Sequence, residues 1–286
     1  MPIPRYSEIP RSRPSGFDRP SPVDAEMKTR IKGDEEMDDR ERMVVHFIGV
    51  GSGDPEPITV KVMSLMGDAY FVIYADSLIH PYMLRYAKRE AAVHGSSSMR
   101  LEELVEMMVE YCRSGKKVVR LVSGDPSLYS AVNEQVALLE ERGIRCEIVP
   151  GVSSFSAAAA ALGLELTCPE RSQAVILARA EGKTPLPEKG KLAEVLHPSA
   201  TAAIFLSGKL GERLLEDFLA AGYRTQTPAA IVHRASWEEE KKVETTLSRF
   251  PAYLKNEGMN RQTLILVGEV LDRKTREAGR SRLYGR

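Results

Sequence analysis

The sequence predicts an α/β protein whose N-terminal half is an open parallel sheet covered by helices. Three observations carry this. Short apolar runs of strand length recur between Val44 and Val149. Between them lie segments whose apolar residues repeat at three and four positions, the spacing of one helix face. The runs are unbroken rather than alternating, as in strands buried on both faces, and most end in a glycine- or proline-bearing turn.

Val44-Val45-His46-Phe47-Ile48 is the first strand, followed by Gly49-Val50-Gly51-Ser52-Gly53-Asp54-Pro55. Thr59 caps a helix with Val60, Met63 and Met66 on one face, because its hydroxyl can accept a free first-turn N–H. Tyr70–Tyr74 is the second strand and runs into Ala75-Asp76-Ser77. Leu101, Leu104, Val105 and Met108 stripe another helix, which Gly115 ends. Val118–Val122 is the third strand, Glu134–Arg142 a helix closed by Gly143, and Cys146–Val149 the fourth strand. The second half restarts with strands at Ala174–Leu177, Thr201–Leu206, Ala229–Val232 and Gln262–Val267, with a helix from Leu210 to Ala221. Gly163 and Cys168-Pro169-Glu170 interrupt the pattern, so domains are expected at 43–165 and 166–271.

Composition bounds the function. The 286 residues carry 40 Lys and Arg against 40 Asp and Glu, with 43% hydrophobic and 28% charged residues. These are ordinary globular values, and the balanced charge argues against a nucleic-acid partner. Cys112, Cys146 and Cys168 form no Cys-x-x-Cys pair, which fits a reducing cytoplasm. The five histidines, His46, His80, His94, His197 and His233, have no metal-ligand spacing, so no protein-bound metal is expected. No run approaches the ~18 apolar residues of a membrane span, and the first thirty residues have no secretory apolar core, so no membrane partner is expected. Residues 1–42, punctuated by Pro2, Pro4, Pro10, Pro14, Pro20 and Pro22, read as a disordered extension, with translation from Met43 as the alternative. Residues 272–286 read as a basic flexible tail.

Function is carried by the turns. The first is spaced G-x-G-x-G, not G-x-G-x-x-G, and Pro55 and Pro57 remove N–H donors that a phosphate would need, so a dinucleotide is the weaker reading. Gly124-Asp125-Pro126 and Pro150-Gly151-Val152-Ser153-Ser154 follow two further strands. Each alone is an ordinary turn. Three on one sheet edge point to a small-molecule site, because open sheets bind ligands at strand carboxyl ends.

In this order the three motifs resemble those of the tetrapyrrole methyltransferases, over residues 43–271. That family transfers methyl groups from S-adenosylmethionine to ring carbons of corrin and sirohaem precursors. Tyr74–Ile79, Leu177–Glu188 and Val232–Lys241 are similar to the branch that methylates C11 of precorrin-4, or its cobalt form, in cobalamin synthesis. The resemblance implies a two-domain tetrapyrrole methylase fold, each domain an open, largely parallel sheet with flanking helices. It also implies S-adenosylmethionine in the interdomain cleft and a cytoplasmic homodimer.

The resemblance places cofactor contacts at Ser52, Ser123, Gly124, Asp125, Leu128, Ser153, Ser154, Leu206 and Ala235. Asp125 would be an acceptor near the cationic end of the ligand. Ser153 and Ser154 begin a helix whose free N–H groups suit its carboxylate. For Leu206, sequence alone favours plain core packing. Ser52 stands where the family usually has proline, a change worth ~0.4–1 kcal/mol when the geometry is compatible. Asp76 and Glu181 are candidate proton acceptors, with a strand-end turn acceptor an equal reading for Asp76. A polycarboxylate substrate on a neutral chain requires a local basic groove, for which Arg120, Arg179, Lys183 and Arg234 are candidates, although such charges are more often solvated. The competing readings are another ring position, a diphthamide-type methyltransferase, and a non-catalytic S-adenosylmethionine-binding regulator. The Arg179–Glu188 segment argues against the first two, and only Ser52 hints at the third.

Overall fold

A computed structural model describes residues 43–182, 185–187, 190–256 and 258–272. The extension 1–42 and the tail beyond Asp272 lie outside the described residues, so the expectations for them stand as they were. The chain divides into two compact units between Ser153 and Ser154. The sequence boundary at 165/166 differs by one helix, which groups by its contacts with the second unit.

The first unit runs β1 (Val44–Gly49), α1 (Val60–Asp68), β2 (Phe71–Tyr74), a 3-10 helix (Pro81–Tyr86), β3 (Ala92–Gly95), α2 (Leu101–Arg113), β4 (Val118–Val122), α3 (Val132–Glu140) and β5 (Arg145–Val149). Its sheet has the order β3-β2-β4-β1-β5, and every pair is parallel. Thr59 does cap α1: its Oγ1 accepts the Val62 N–H at 3.3 Å. In α2 the stripe Leu104, Val105, Met108, Val109 and Cys112 is buried, Glu102 and Glu103 occupy the first turn where the helix dipole favours anions, and Gly115 follows at φ +72°.

Strand alternation sorts this core onto two faces. Ile48, Val72, Val119 and Leu121 pack with α1 and the 3-10 helix. Val45, Phe47, Phe71 and Ile73 pack with α2 and α3. The connection from β1 to β2 therefore leaves on one face and that from β4 to β5 on the other. Since β1 and β4 are neighbours, their carboxyl ends form a topological switch point, where an open sheet has its crevice.

The second unit contains α4 (Ser154–Leu162), β6 (Val175–Arg179), α5 (Leu192–Val195), β7 (Thr201–Phe205), α6 (Gly211–Ala220), β8 (Pro228–His233), β9 (Lys241–Thr246), α7 (Phe250–Asn256) and β10 (Thr263–Val267), ending in a 3-10 turn at Glu269–Leu271. The sheet order is β6-β7-β10-β8-β9. Here the expectation of largely parallel pairing needs refinement: β6–β7 is parallel, but β10 runs antiparallel to both β7 and β8, and β8–β9 is an antiparallel hairpin. A buried strand such as Thr263-Leu264-Ile265-Leu266-Val267 reads as an apolar run whichever way it points, so direction was not in the pattern. The edge strands β3 and β9 were not anticipated. One is four residues long and the other, Lys-Lys-Val-Glu-Thr-Thr, is charged, as edges that resist further pairing tend to be.

Among the described residues, no helix is long and apolar enough to cross a membrane. The core of the second unit centres on Phe218, fully buried and meeting Tyr223 edge-on at 4.9 Å between centroids. Phe218→Ala is expected to cost this unit about 3–5 kcal/mol, read as a lowered urea midpoint in the fluorescence of Trp237, the chain's single tryptophan.

Candidate functional site

Three loops leave the carboxyl ends of β4, β1 and β5, which are adjacent, and they touch through bare backbone. Val50 N–H donates to Val122 O at 3.0 Å, and Gly51 and Gly124 exchange both backbone hydrogen bonds, at 3.2 and 2.7 Å. A Cβ on Gly49 would sit 2.6 Å from Gly151 N and 2.7 Å from Gly124 O, and one on Gly151 would run into the carbonyl oxygens of Gly124 and Gly49. No residue but glycine fits at this junction. Gly51, at φ +80°, faces the other way: a Cβ there would meet nothing within 4 Å.

Asp125 fastens the junction. Its Oδ2 accepts the Gly151 N–H at 2.9 Å, while Oδ1 accepts the Ser127 N–H at 2.8 Å and the Ser127 hydroxyl. Partial burial pushes its carboxyl up, but the hydrogen bonds from Ser127 and Gly151 outweigh this and hold it below the usual carboxylate range. The residue expected to face a ligand cation thus also ties the β4 loop to the β5 loop. Around it, Ser52, Ser123 and Leu128 are half-buried, Gly124 and Ser153 are buried, and Ser154 is the first residue of α4.

The second unit presents a comparable edge. Because β10 is antiparallel to both β7 and β8, the strands β6, β7 and β8 point the same way and share a carboxyl edge. Arg179 and Glu181, Leu206, and Arg234 with Ala235 all lie there. Leu206 corrects the core-packing expectation: the strand stops at Phe205, and Leu206 turns out at φ +54° with 73% exposure. Ala235 is buried between Arg234 (φ +49°) and Ser236 (φ +67°). Glu170 apart, every non-glycine residue with positive φ among those described lies at one of the two edges: Tyr129 and Ala131 after β4, and Leu206, Arg234, Ser236 and Gln262 in the second unit. Such backbone costs about 1–3 kcal/mol per residue and gathers at functional sites. Tyr129, Gln262 and Ser207 were missed by sequence reasoning. The Ser207 Oγ donates to Phe205 O at 2.6 Å and accepts the Ala180 N–H at 2.9 Å, tying the exits of β6 and β7 together. Serine after a strand is too common to flag itself.

The catalytic and substrate candidates are largely engaged. Asp76 is exposed, and its two oxygens accept Ser97 N–H at 2.8 Å and Ser97 Oγ–H at 2.6 Å; slight burial raises its pKa, and these bonds lower it further than burial raises it. This is the turn-acceptor geometry. Glu181 is paired to Arg213 at 2.8 Å, which holds its carboxyl below the usual range, with help from the Leu186 N–H. Arg120 is not in a groove. Strand alternation points it at the face covered by α2 and α3, where it is 8% exposed and its Nε donates to Gln135 Oε1 at 3.2 Å. Burial pushes its guanidinium down to about 10, against the raising influence of Asp76. Arg179 donates to Pro185 O at 3.1 Å. Arg234 donates through Nε to Gln262 Oε1 at 2.8 Å, pairs with Glu239 at 3.6 Å and lies over the Trp237 ring. Lys183 lies outside the described residues. Among those described, no group of three or more His, Cys, Asp or Glu could hold a metal ion.

The sequence profile of the tetrapyrrole (corrin/porphyrin) methylases matches residues 44–251. The chain belongs to this family. It is 45% identical over 238 residues to a cobalt-precorrin-4 C(11)-methyltransferase of Methanocaldococcus jannaschii, covering 83% of this chain and 91% of that one. It is 42% identical over 229 residues to a precorrin-4 C(11)-methyltransferase of Pseudomonas aeruginosa, covering 80% and 91%. Among solved structures, the fold matches a cobalt precorrin-4 methyltransferase described as a cobalamin biosynthetic enzyme, with a TM-score of 0.79 at 42% identity over 83% of this chain and 99% of that one. It also matches a uroporphyrin-III C-methyltransferase of Thermus thermophilus complexed with S-adenosylhomocysteine, with a TM-score of 0.66 at 26% identity over 80% and 93%.

The depressed Asp125 pKa has a signed consequence. Its stabilisation is complete above the ordinary value of 3.8 and is lost as pH falls through the lower folded value. Asp125→Asn is therefore expected to be less stable than wild type at pH 7, with the gap closing in acid. Urea unfolding at both pH values checks this, and a gap that widens in acid contradicts the assignment.

Proposed function

We infer that the chain is an S-adenosylmethionine-dependent methyltransferase that methylates C11 of precorrin-4, or of its cobalt complex, in cobalamin biosynthesis. The observation that carries this is the 45% identity across 91% of the archaeal enzyme's length, at a level where family and reaction travel together. We take it to act in the cytoplasm as a homodimer, as the resemblance implies and as three unpaired cysteines fit.

The residues suit the cofactor. Gly49 and Gly151 let the three loops approach one another where any Cβ would keep them apart, and Gly51 opens onto free space. When bound, S-adenosylmethionine supplies a methyl group on a sulfonium, whose departure leaves a neutral thioether. Asp125, held ionised, contributes negative potential toward a cationic ligand. The free N–H groups of the first turn of α4, from Ser154, suit its carboxylate. Leu206 offers apolar surface, and Ser52, Ser123, Leu128, Ser153 and Ala235 complete the proposed contact set.

Asp76 and Glu181 are both held below their usual pKa, which makes them weak bases. Catalysis then rests on positioning, which in model systems supplies up to ~7–11 kcal/mol. Water excluded from the reacting carbon and sulfur strengthens that effect.

The test is calorimetry with S-adenosylmethionine followed by mass spectrometry of precorrin-4 and cobalt-precorrin-4. The expected product has gained one methylene. Tight cofactor binding without transfer to any tetrapyrrole would leave a regulator instead. Asp125→Ala is expected to weaken cofactor binding at least about tenfold, near 1.4 kcal/mol. Leu206→Gly separates ligand contact from fold: relief of the left-handed backbone leaves stability unchanged or raised by up to about 1 kcal/mol, while cofactor affinity falls. An unaltered affinity removes Leu206 from the contact set.

A further inference from the structure

Among the described residues, two buried side-chain nitrogens have no hydrogen-bond partner: His46 Nδ1, within the first strand, and Arg85 Nε. We propose that Arg85, on the 3-10 helix that follows β2, binds a carboxylate of the tetrapyrrole substrate. This deepens the proposed function and rests on it.

The argument begins with a missing counter-charge. Arg85 is half-buried, its guanidinium carbon lies 5.3 Å from the Tyr86 ring centroid, and no carboxylate or carbonyl of the described residues pairs with it. A partly desolvated cation without an anion is unfavourable, and the deficit is removed when one arrives. The other candidate arginines are already engaged: Arg120 by Gln135, Arg179 by Pro185 O, and Arg234 by Gln262 and Glu239. Nor does an ion pair within 4.0 Å join Arg85 to a described carboxylate, and the Asp76 oxygens are held by Ser97.

Position supports the same reading. The Tyr86 hydroxyl donates to Pro55 O at 3.1 Å, which pins the 3-10 helix to the loop that carries Gly51 and Ser52. His80 caps the helix by accepting the Tyr82 N–H at Nδ1, 3.2 Å away. On the same segment, Leu78 and Tyr82 are exposed, at 47% and 36%. A cation beside the Tyr86 ring, on a segment that also exposes Leu78 and Tyr82 and is tied to a strand-end loop of the switch-point edge, suits a flat macrocycle with acidic arms. Arginine's planar fork suits a carboxylate in bidentate fashion, which a lysine point charge cannot reproduce.

The experiment measures steady-state methylation and, separately, binding of the polycarboxylate uroporphyrin III by its fluorescence. Arg85→Gln is expected to raise the tetrapyrrole KM about tenfold while leaving kcat, S-adenosylmethionine affinity and melting temperature close to wild type. Arg85→Lys should recover part of the KM, and it carries the test if the glutamine variant does not fold. Uroporphyrin binding should weaken in Arg85→Gln, with the difference shrinking as salt rises. An unchanged KM and unchanged uroporphyrin affinity overturn the proposal, as does a lowered melting temperature with KM intact, which marks a structural arginine. A wild type that methylates no tetrapyrrole yet binds uroporphyrin through Arg85 overturns the proposed function and leaves this carboxylate site standing.

Discussion

The contact between the backbones of Gly49, Gly124 and Gly151 is the constraint on which the first unit's site depends. Three parallel strands end side by side, and the loops that leave them meet backbone to backbone. The absence of a Cβ at Gly49 and Gly151 lets the loops touch, and the paired hydrogen bonds of Gly51 and Gly124 then lock two of them. Asp125 adds the third by accepting the Gly151 N–H. Because β1 and β4 send their chains to opposite faces, this knot of backbone sits where the sheet has an open crevice.

The second unit reaches a comparable result by other means. Its carboxyl edge carries Leu206, Arg234 and Ser236 at strand exits and Gln262 at the entry of β10, in left-handed backbone with side chains that disfavour it. Hydrogen bonds compensate: Ser207 joins two exits, and Arg234 with Gln262 joins the exit of β8 to the entry of β10. Leu206 is the informative case, since a leucine is kept at 73% exposure by a strained turn rather than folded into the core beneath it. Such an arrangement sacrifices local stability for apolar surface at a strand end.

Charges proved hardest to judge from sequence. Arg120, Arg179 and Arg234 stand beside the motifs in the chain, yet each has a structural task. Arg85, which no motif marks, keeps a buried Nε without a hydrogen-bond partner. Proximity in sequence says which loop a charge belongs to. Whether it is already engaged depends on residues as distant as Gln262 is from Arg234, or Ser97 from Asp76.

The sequence by itself determined the α/β class, four of the five strands of the first sheet, the capping of α1 by Thr59 and the three glycine turns. These follow from burial periodicity and backbone freedom, which are local properties. Its motifs also carry the family's signature. Tertiary structure alone decided the antiparallel insertion of β10, the charged edge strand β9, the outward turn of Leu206 and the pairing state of each arginine. Each of these depends on which partner lies across a sheet or loop, and an apolar run or a lone charge carries no record of its partner.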